Sequence, residues 1–318
     1  MLSFLPAPIL APLNAVLACL SVLFWGGLII LLAPIKLLPI PALRRQISAL
    51  CNACMHGWVA TNYGVLRLTT KTRWEVDGLS ESQLSKQGWY LVLANHLSWA
   101  DIVVVTVVLR NQVPMLKFFL KQQLLYVPVM GLACWALDMP FMRRYTKSQI
   151  ARNPALKGKD IETTRRSCEK FKDLPTCVIN FVEGSRLTRT KHQRQRSPFR
   201  YLMKPKAGGI AFALNTLGSQ FDQLLDVTIV YPDAPENIMW ALLQGKLDRI
   251  HVSVRTLPMS EVPVGDYDSD KAYRVTFQHW LNGLWLEKDR TIANVINQQQ
   301  VPAPFYQELE PTGQAEPR

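Results

Sequence analysis

No charged side chain occurs before Lys36 in this 318-residue chain. From Leu13 to Ile35 the sequence is apolar apart from Asn14 and Ser21. As a helix that stretch would be roughly 34 Å long, enough to cross a bilayer core. It also lacks a basic segment ahead of the apolar run, which argues against a cleaved signal peptide. Lys36, Arg44 and Arg45 follow at once, so the positive-inside bias predicts that the rest of the chain is cytoplasmic. Pro34, Pro39 and Pro41 end the helix as it exits. The next segment, 43–68, mixes arginines, apolar residues, Trp58 and Tyr63, and reads equally as an interfacial helix or a packed one.

Other absences narrow the class further. Six cysteines are scattered at 19, 51, 54, 134, 168 and 177, mostly in apolar or helical contexts, which fits a reducing compartment. Cys51 and Cys54 have CxxC spacing but neither a second pair nor a flanking histidine pair, so no zinc or redox site is expected. There is no internal repeat. No zinc finger, RNP motif or basic zipper is present, so nucleic acid is not the expected partner. No G-x-S-x-G elbow surrounds Ser98 or Ser185, which disfavours an enzyme-borne serine nucleophile. Acidic residues are the scarcer sign: 24 against 36 basic ones, for a net charge of +12 and a pI near 9.5. An anionic partner follows from that imbalance. Between Phe141 and Lys206 stand 18 Lys or Arg against 5 Asp or Glu. Beside a membrane anchor this run reads as a docking surface for an anionic leaflet, although such runs are usually solvated loops.

The remaining chain alternates strands and helices. Arg73 to Gly78 reads as a strand ending in an Asp-Gly turn, and 89–94 and 176–182 as buried strands. A helix is expected through Ile102 to Leu109, another around Ile161 to Phe171, and another from Lys206 through Leu217. Residues 186–204 read as a basic loop. Strands follow at Leu225–Val230 and Ile250–Arg255, then an amphipathic helix from Lys271 to Arg290. The fold class is α/β, a mixed, mostly parallel sheet flanked by helices, with an N-terminal transmembrane helix. The expected division is a membrane anchor at 1–40, a membrane-proximal helical segment at 41–72, a catalytic domain at 73–297 and a disordered tail at 298–318.

Two short strings carry the chemistry. Asn95-His96-Leu97-Ser98-Trp99-Ala100-Asp101 follows one buried strand, and Phe181-Val182-Glu183-Gly184-Ser185-Arg186 ends another. Polar residues placed straight after buried strands line a crevice rather than a core. His96 is a base suited to neutral pH, and Asp101, five residues on, can fix its tautomer and stabilise the imidazolium. Ser98 reads as a helix-start cap. Gly184 permits a tight bend, and Arg186 can grip a phosphate with two bonds. Glu183 orients that arginine or a substrate hydroxyl. The ordinary alternatives are a capping or buried histidine and a surface ion pair between Glu183 and Arg186. Together the strings point to acyl transfer onto a hydroxyl beside a phosphate.

These residues resemble the glycerophospholipid acyltransferases, typified by 1-acyl-glycerol-3-phosphate acyltransferase. That family carries an NHxxxxD block and an FxEGTR block in this order. The chain matches the first at Asn95, His96 and Asp101, and the second at Phe181, Glu183, Gly184 and Arg186, with Ser185 where Thr is usual. Pro128, Gly131 and Phe141-Met142-Arg143-Arg144 resemble the intermediate block, with Arg144 in its arginine position and Arg143 beside it. The Lys204-Pro205-Lys206 run and the strand from Asp226 to Tyr231 are similar to the lysocardiolipin acyltransferase-like branch. The family's last block usually holds a proline inside its strand, whereas here Pro232 follows it.

The resemblance implies that His96 and Asp101 are catalytic. It implies a phosphate site built from Glu183, Gly184, Arg186, Arg144, Arg143 and Lys206. The implied reaction moves an acyl chain from acyl-CoA or acyl carrier protein to a lysophospholipid, with neither cofactor nor metal. The partners are the lysophospholipid, the acyl donor and an anionic membrane surface. The expected location is a bacterial inner membrane with the catalytic domain in the cytoplasm. The rival readings are a catalytically silent membrane-anchored scaffold or RNA-binding protein, and a thioester hydrolase using the same dyad.

Overall fold

The fold is that of a computed structural model describing residues 2–79, 83–142, 152, 174–267, 269–298, 303–307 and 309. Two long helices come first, α1 (Ala7–Leu32) and α2 (Pro41–Thr69), joined through a 3-10 turn at Ala33–Leu37. Proline near the start suits each helix, because the first N–H groups have no partner inside a helix. They pack side by side as a hairpin. Gly57 makes the close crossing possible, since a β-carbon there would lie 2.3 Å from the Trp25 ring. Trp25 Nε1 donates to Thr61 Oγ1, and Asn62 Nδ2 donates to Ser21 Oγ. One stretch, Ala7–Leu37, is long and apolar enough to cross a membrane. Its Val16, Leu20, Leu23, Phe24 and Leu31 form an exposed stripe, while Leu10, Asn14, Ser21 and Ile29 face inward.

The domain follows as β1 (Arg73–Asp77), β2 (Tyr90–Ala94), α3 (Ala100–Leu109), β3 (Leu116–Phe118), β4 (Leu120–Lys121), α4 (Met130–Ala136) and β5 (Phe141–Met142). Then come β6 (Cys177–Phe181), α5 (Arg189–Gln195), α6 (Ala207–Leu217), β7 (Gln223–Val230), α7 (Ile238–Leu243), β8 (Arg249–Pro258) and α8 (Lys271–Asn297). Six strands form one sheet in the order β1-β8-β7-β2-β6-β3. β7, β2, β6 and β3 run parallel, whereas β8 is antiparallel to β7 and parallel to β1. The mixed, mostly parallel α/β fold expected from the sequence is therefore present. β2 is flanked on both sides and buried throughout, which is why its sequence is a continuous apolar run rather than an alternating one. α8 packs on β7 and α6, and α3 packs on α2 and α7.

Three sequence expectations change. Residues 186–204 are not all loop. Thr188 accepts from Lys191 N and starts α5, whose His192 is buried and bonds through Nε2 to Phe199 O. The tail is not wholly disordered, because Ala303, Tyr306 and Leu309 are buried against the domain. Lys36, counted with Arg44 and Arg45 in the positive-inside reading, turns inward to Asp138 Oδ2 at 2.5 Å and to Ala136 O. Arg44 and Arg45 remain exposed. The helix expected around Ile161 to Phe171 lies outside the described residues.

Lys117 on β3 completes this fastening of hairpin to domain. Its Nζ is buried and donates to Asn52 Oδ1 on α2 and to Leu137 O. Burial lowers its pKa to about 8, against the pull of the Asp138 charge. The unfolded chain therefore holds this proton to higher pH than the folded one. The group disfavours folding below pH 8, and the penalty fades as pH rises from about 8 toward 10.5. We expect the stability of the wild type minus that of Lys117→Met to become more favourable between pH 7 and pH 10 in urea unfolding. An unchanged difference would refute the assignment.

Candidate active site

The parallel run of β7, β2 and β6 brings three strand ends together. In register, Ala94 is level with Phe181 on one side and Val227 on the other. His96, Glu183 and Tyr231 then leave the sheet at one edge, the C-terminal crevice of an open α/β sheet. Asn95 extends β2 sideways. Its Oδ1 accepts from Ile229 N and its Nδ2 donates to Ile229 O, as a backbone amide would. Leu187 N donates to His96 O, tying the second motif's loop to the first.

The sequence pairing of His96 with Asp101 holds in space. His96 Nδ1 lies 2.8 Å from Asp101 Oδ2. The same oxygen accepts from Leu97 N at 2.6 Å and Ser98 N at 2.9 Å, as the chain turns into α3. An oxygen that already accepts two backbone N–H groups favours the tautomer with the proton on Nδ1, which leaves the Nε2 lone pair free. Phe181 stacks on the imidazole at 4.2 Å between centroids, holding the ring plane. Asp101 is fully buried, and the His96 side chain retains 13 % exposure, so the imidazole can be reached from outside while the carboxylate cannot. Ser98 Oγ accepts from Ala100 N and caps the turn.

Gly184 takes φ +69°, a conformation that glycine adopts without a Cβ clash. The bend sends Glu183 and Arg186 to opposite fates. Arg186 is exposed, and its guanidinium lies 4.7 Å over the Trp99 ring. Glu183 is fully buried. Neither of its oxygens completes a hydrogen bond among the described residues, and the backbone groups of His96 and Met203 give it partial support. Burial first, and the Asp101 charge second, push its carboxyl well above the usual carboxylate range. Lys206 is exposed at the start of α6, with its N–H donating to Val182 O. Arg143 and Arg144 lie outside the described residues.

Sequence reasoning missed three residues of this site. Tyr231, directly after β7, donates its hydroxyl to Asp101 Oδ1 at 2.7 Å. Tyr306 accepts from Tyr231 N. Lys288 on α8 is buried among Val227 O, Thr228 Oγ1 and Asp226 Oδ1, and its charge also reaches Glu183. Burial lowers the Lys288 pKa, opposed by Asp226. A lysine at helical spacing on an amphipathic helix gives no local sign that it points inward. Tyr231 did carry a signal, namely its place immediately after a buried parallel strand.

Two outcomes follow. Asp101→Asn should lower catalytic turnover about a thousandfold in a kinetic assay, because the wrong tautomer is then favoured. For Glu183 the folded state binds its proton more tightly than the unfolded chain, so wild-type stability falls as pH rises above 4.5. Glu183→Gln removes that fall. Its stability relative to wild type should climb between pH 5 and pH 8 in denaturant titrations, and a flat difference would refute the buried-acid assignment.

A model of the acyltransferase family matches residues 75–232. An uncharacterized acyltransferase of Schizosaccharomyces pombe is 25 % identical over 235 residues, covering 67 % of this chain and 62 % of that protein. The 1-acyl-sn-glycerol-3-phosphate acyltransferase gamma of Homo sapiens is 23 % identical over 192 residues, covering 57 % of this chain and 46 % of the human one. The chain thus spans about half to three fifths of the length of these relatives. The crystal structure of the 1-acyl-sn-glycerophosphate (LPA) acyltransferase PlsC from Thermotoga maritima superposes with a TM-score of 0.52 at 17 % identity, covering 88 % of this chain and 95 % of that one. The likeness to that structure is one of fold. The family model spans both motifs and the dyad, and with these relatives it supports a place for the chain among the glycerophospholipid acyltransferases.

Proposed function

We propose that the protein is a membrane-bound O-acyltransferase that moves a fatty acyl chain from acyl-CoA or acyl carrier protein to the free hydroxyl of a lysophospholipid. The acceptor we favour is 1-acyl-glycerol-3-phosphate, giving phosphatidate. The observation that carries this reading is the part-exposed His96, locked at Nδ1 by a buried Asp101, with the Arg186 guanidinium presented close by on Trp99. His96 Nε2 takes the proton from the acceptor hydroxyl. The hydroxyl oxygen attacks the thioester carbonyl, and the tetrahedral centre collapses with loss of the thiolate, which recovers the proton from the imidazolium. No acyl-enzyme is needed, because Ser98 Oγ serves the turn rather than the base. Arg186, with Arg143, Arg144 and Lys206, supplies positive charge for a phosphate.

The exposed stripe of α1 is the membrane-inserted face in this reading. α1 does not leave the domain behind. Asn14 Nδ2 donates to Leu243 O, and a β-carbon at Gly26 would lie 2.8 Å from Val129. The domain is then held at the bilayer surface, where an amphiphilic acceptor is concentrated and proximity supplies part of the rate. We place it at a bacterial inner membrane, with the domain on the cytoplasmic side.

Membranes carrying the wild type or His96→Ala, given labelled acyl donors with lysophosphatidate, lysophosphatidylglycerol or lysocardiolipin, test the reaction. Transfer that depends on His96, greatest with lysophosphatidate, is expected. Free fatty acid as the sole product would move the assignment to thioester hydrolysis, and no turnover with any donor would move it to a binding role. Removing residues 1–40 should lower membrane retention in flotation assays, and full retention would place the anchor elsewhere.

A further inference from the structure

Asp101 is held from two directions. Oδ2 takes three donors: His96 Nδ1, Leu97 N and Ser98 N. Oδ1 takes the Tyr231 hydroxyl at 2.7 Å. A carboxylate gripped at one oxygen alone can still rock about its Cβ–Cγ bond, and a donor on the opposite oxygen removes that freedom. Tyr231 is in turn held by the C-terminal segment. Its N–H donates to the Tyr306 hydroxyl at 3.3 Å.

That segment is tied down at several points. Arg189 Nη2 donates to Pro304 O at 2.9 Å, and Phe305 N donates to Ala234 O at 3.4 Å. The Tyr306 ring meets Tyr201 edge-on at 5.7 Å and is itself buried. Arg189 opens α5, three residues beyond Arg186. Segment 303–307 therefore bridges the start of α5, just beyond the second motif, and the end of β7 behind Asp101.

We propose that Tyr231 and Tyr306 are positioning residues that orient Asp101, so that the C-terminal segment 303–307 completes the acyltransfer site. The inference rests on the reading of His96 as the base. Burial and the Asp101 charge raise the Tyr231 pKa far above neutrality, so its hydroxyl stays a donor. Burial does the same for Tyr306. Among the described residues, the other ionisable groups near the dyad are Glu183 after β6, which couples to Asp101 and in turn to Lys288 on α8, with Arg186 over Trp99 at the rim. A hydroxyl donating to Asp101 draws electron density from the carboxylate. Without it the carboxylate stabilises the imidazolium more strongly, and His96 binds its proton to higher pH.

The test uses the full chain in membranes, with Tyr231→Phe and Tyr306→Phe, which keep the rings. The pH dependence of His96 modification by diethyl pyrocarbonate, read by peptide mass spectrometry, reports the imidazole without any substrate. We expect its midpoint to rise by roughly half a pH unit in Tyr231→Phe, and by less in Tyr306→Phe. We expect kcat to fall roughly tenfold in Tyr231→Phe while KM for the acceptor holds within about twofold. An unchanged midpoint in Tyr231→Phe overturns the proposal. Should that variant fail to fold, an unchanged midpoint in Tyr306→Phe overturns it instead. If the wild type transfers no acyl group, a shifted midpoint still upholds the hydrogen-bond relay, and it is the proposed reaction that falls.

Discussion

A single buried carboxylate sets the terms for this molecule. Asp101 has no exposure and carries four donors, two from backbone N–H groups, one from an imidazole and one from a phenol. Burying a charge is costly unless it is hydrogen-bonded on all sides. The four donors come from three structural commitments. The amides require the chain to turn sharply between β2 and α3. The imidazole requires that turn to begin at the strand end. The phenol requires β7 to lie beside β2 in parallel register. Once those conditions hold, Asp101 is held at both oxygens, and the His96 ring is fixed in orientation beside it.

The same rule governs the charges deeper in the fold. Lys288 enters from α8 and meets Asp226 at 2.7 Å, and Asp226 also accepts from Arg255, which pairs with Glu287. Lys36, Asp138 and Lys117 form a second group where the hairpin joins the domain. Breaking a buried pair by removing one partner typically costs about 3–5 kcal/mol, far more than an exposed pair is worth. Such groups enforce a unique arrangement. One fixes α8 beneath the crevice and the other fixes the hairpin against β3 and α4. Glu183 is the exception, buried with incomplete hydrogen bonding beside Asp101, and its raised pKa is the consequence.

Function is divided between a rigid interior and a cationic, apolar exterior. Orientation belongs to the buried Asp101, Tyr231 and Asn95 and the half-buried Phe181. Contact belongs to exposed ones: the His96 edge, Arg186 on Trp99, and the outward stripe of α1. The apolar helix α1 is fastened to the domain rather than free of it. The hydrogen bond from Asn14 to Leu243 O, in the first half of that helix, is one of the contacts that hold it there.

Much of this was legible in the residue order, because some signals are local. Continuous apolar runs ending in polar residues located β2 and β6. The spacing of His96 and Asp101 reports one turn of chain, and a glycine between Glu183 and Arg186 reports a bend. The apolar stretch without charge identified α1. What the sequence could not carry were pairings across long separations. Tyr231 lies 130 residues from Asp101, Tyr306 lies 75 from Tyr231, and Lys288 lies 60 from Thr228. Whether Glu183 points outward to a phosphate or inward to the core depends on the rotation of one bend, and only packing decides that. Whether Lys36 faces lipid headgroups or Asp138 depends on where α4 ends. By itself, then, the sequence determined the strands, the membrane-length helix and the chemical identity of the dyad, through short-range periodicity and spacing. The tertiary structure alone decided which charges are buried and what orients the base, because desolvation and hydrogen bonding depend on neighbours that only the folded chain brings together.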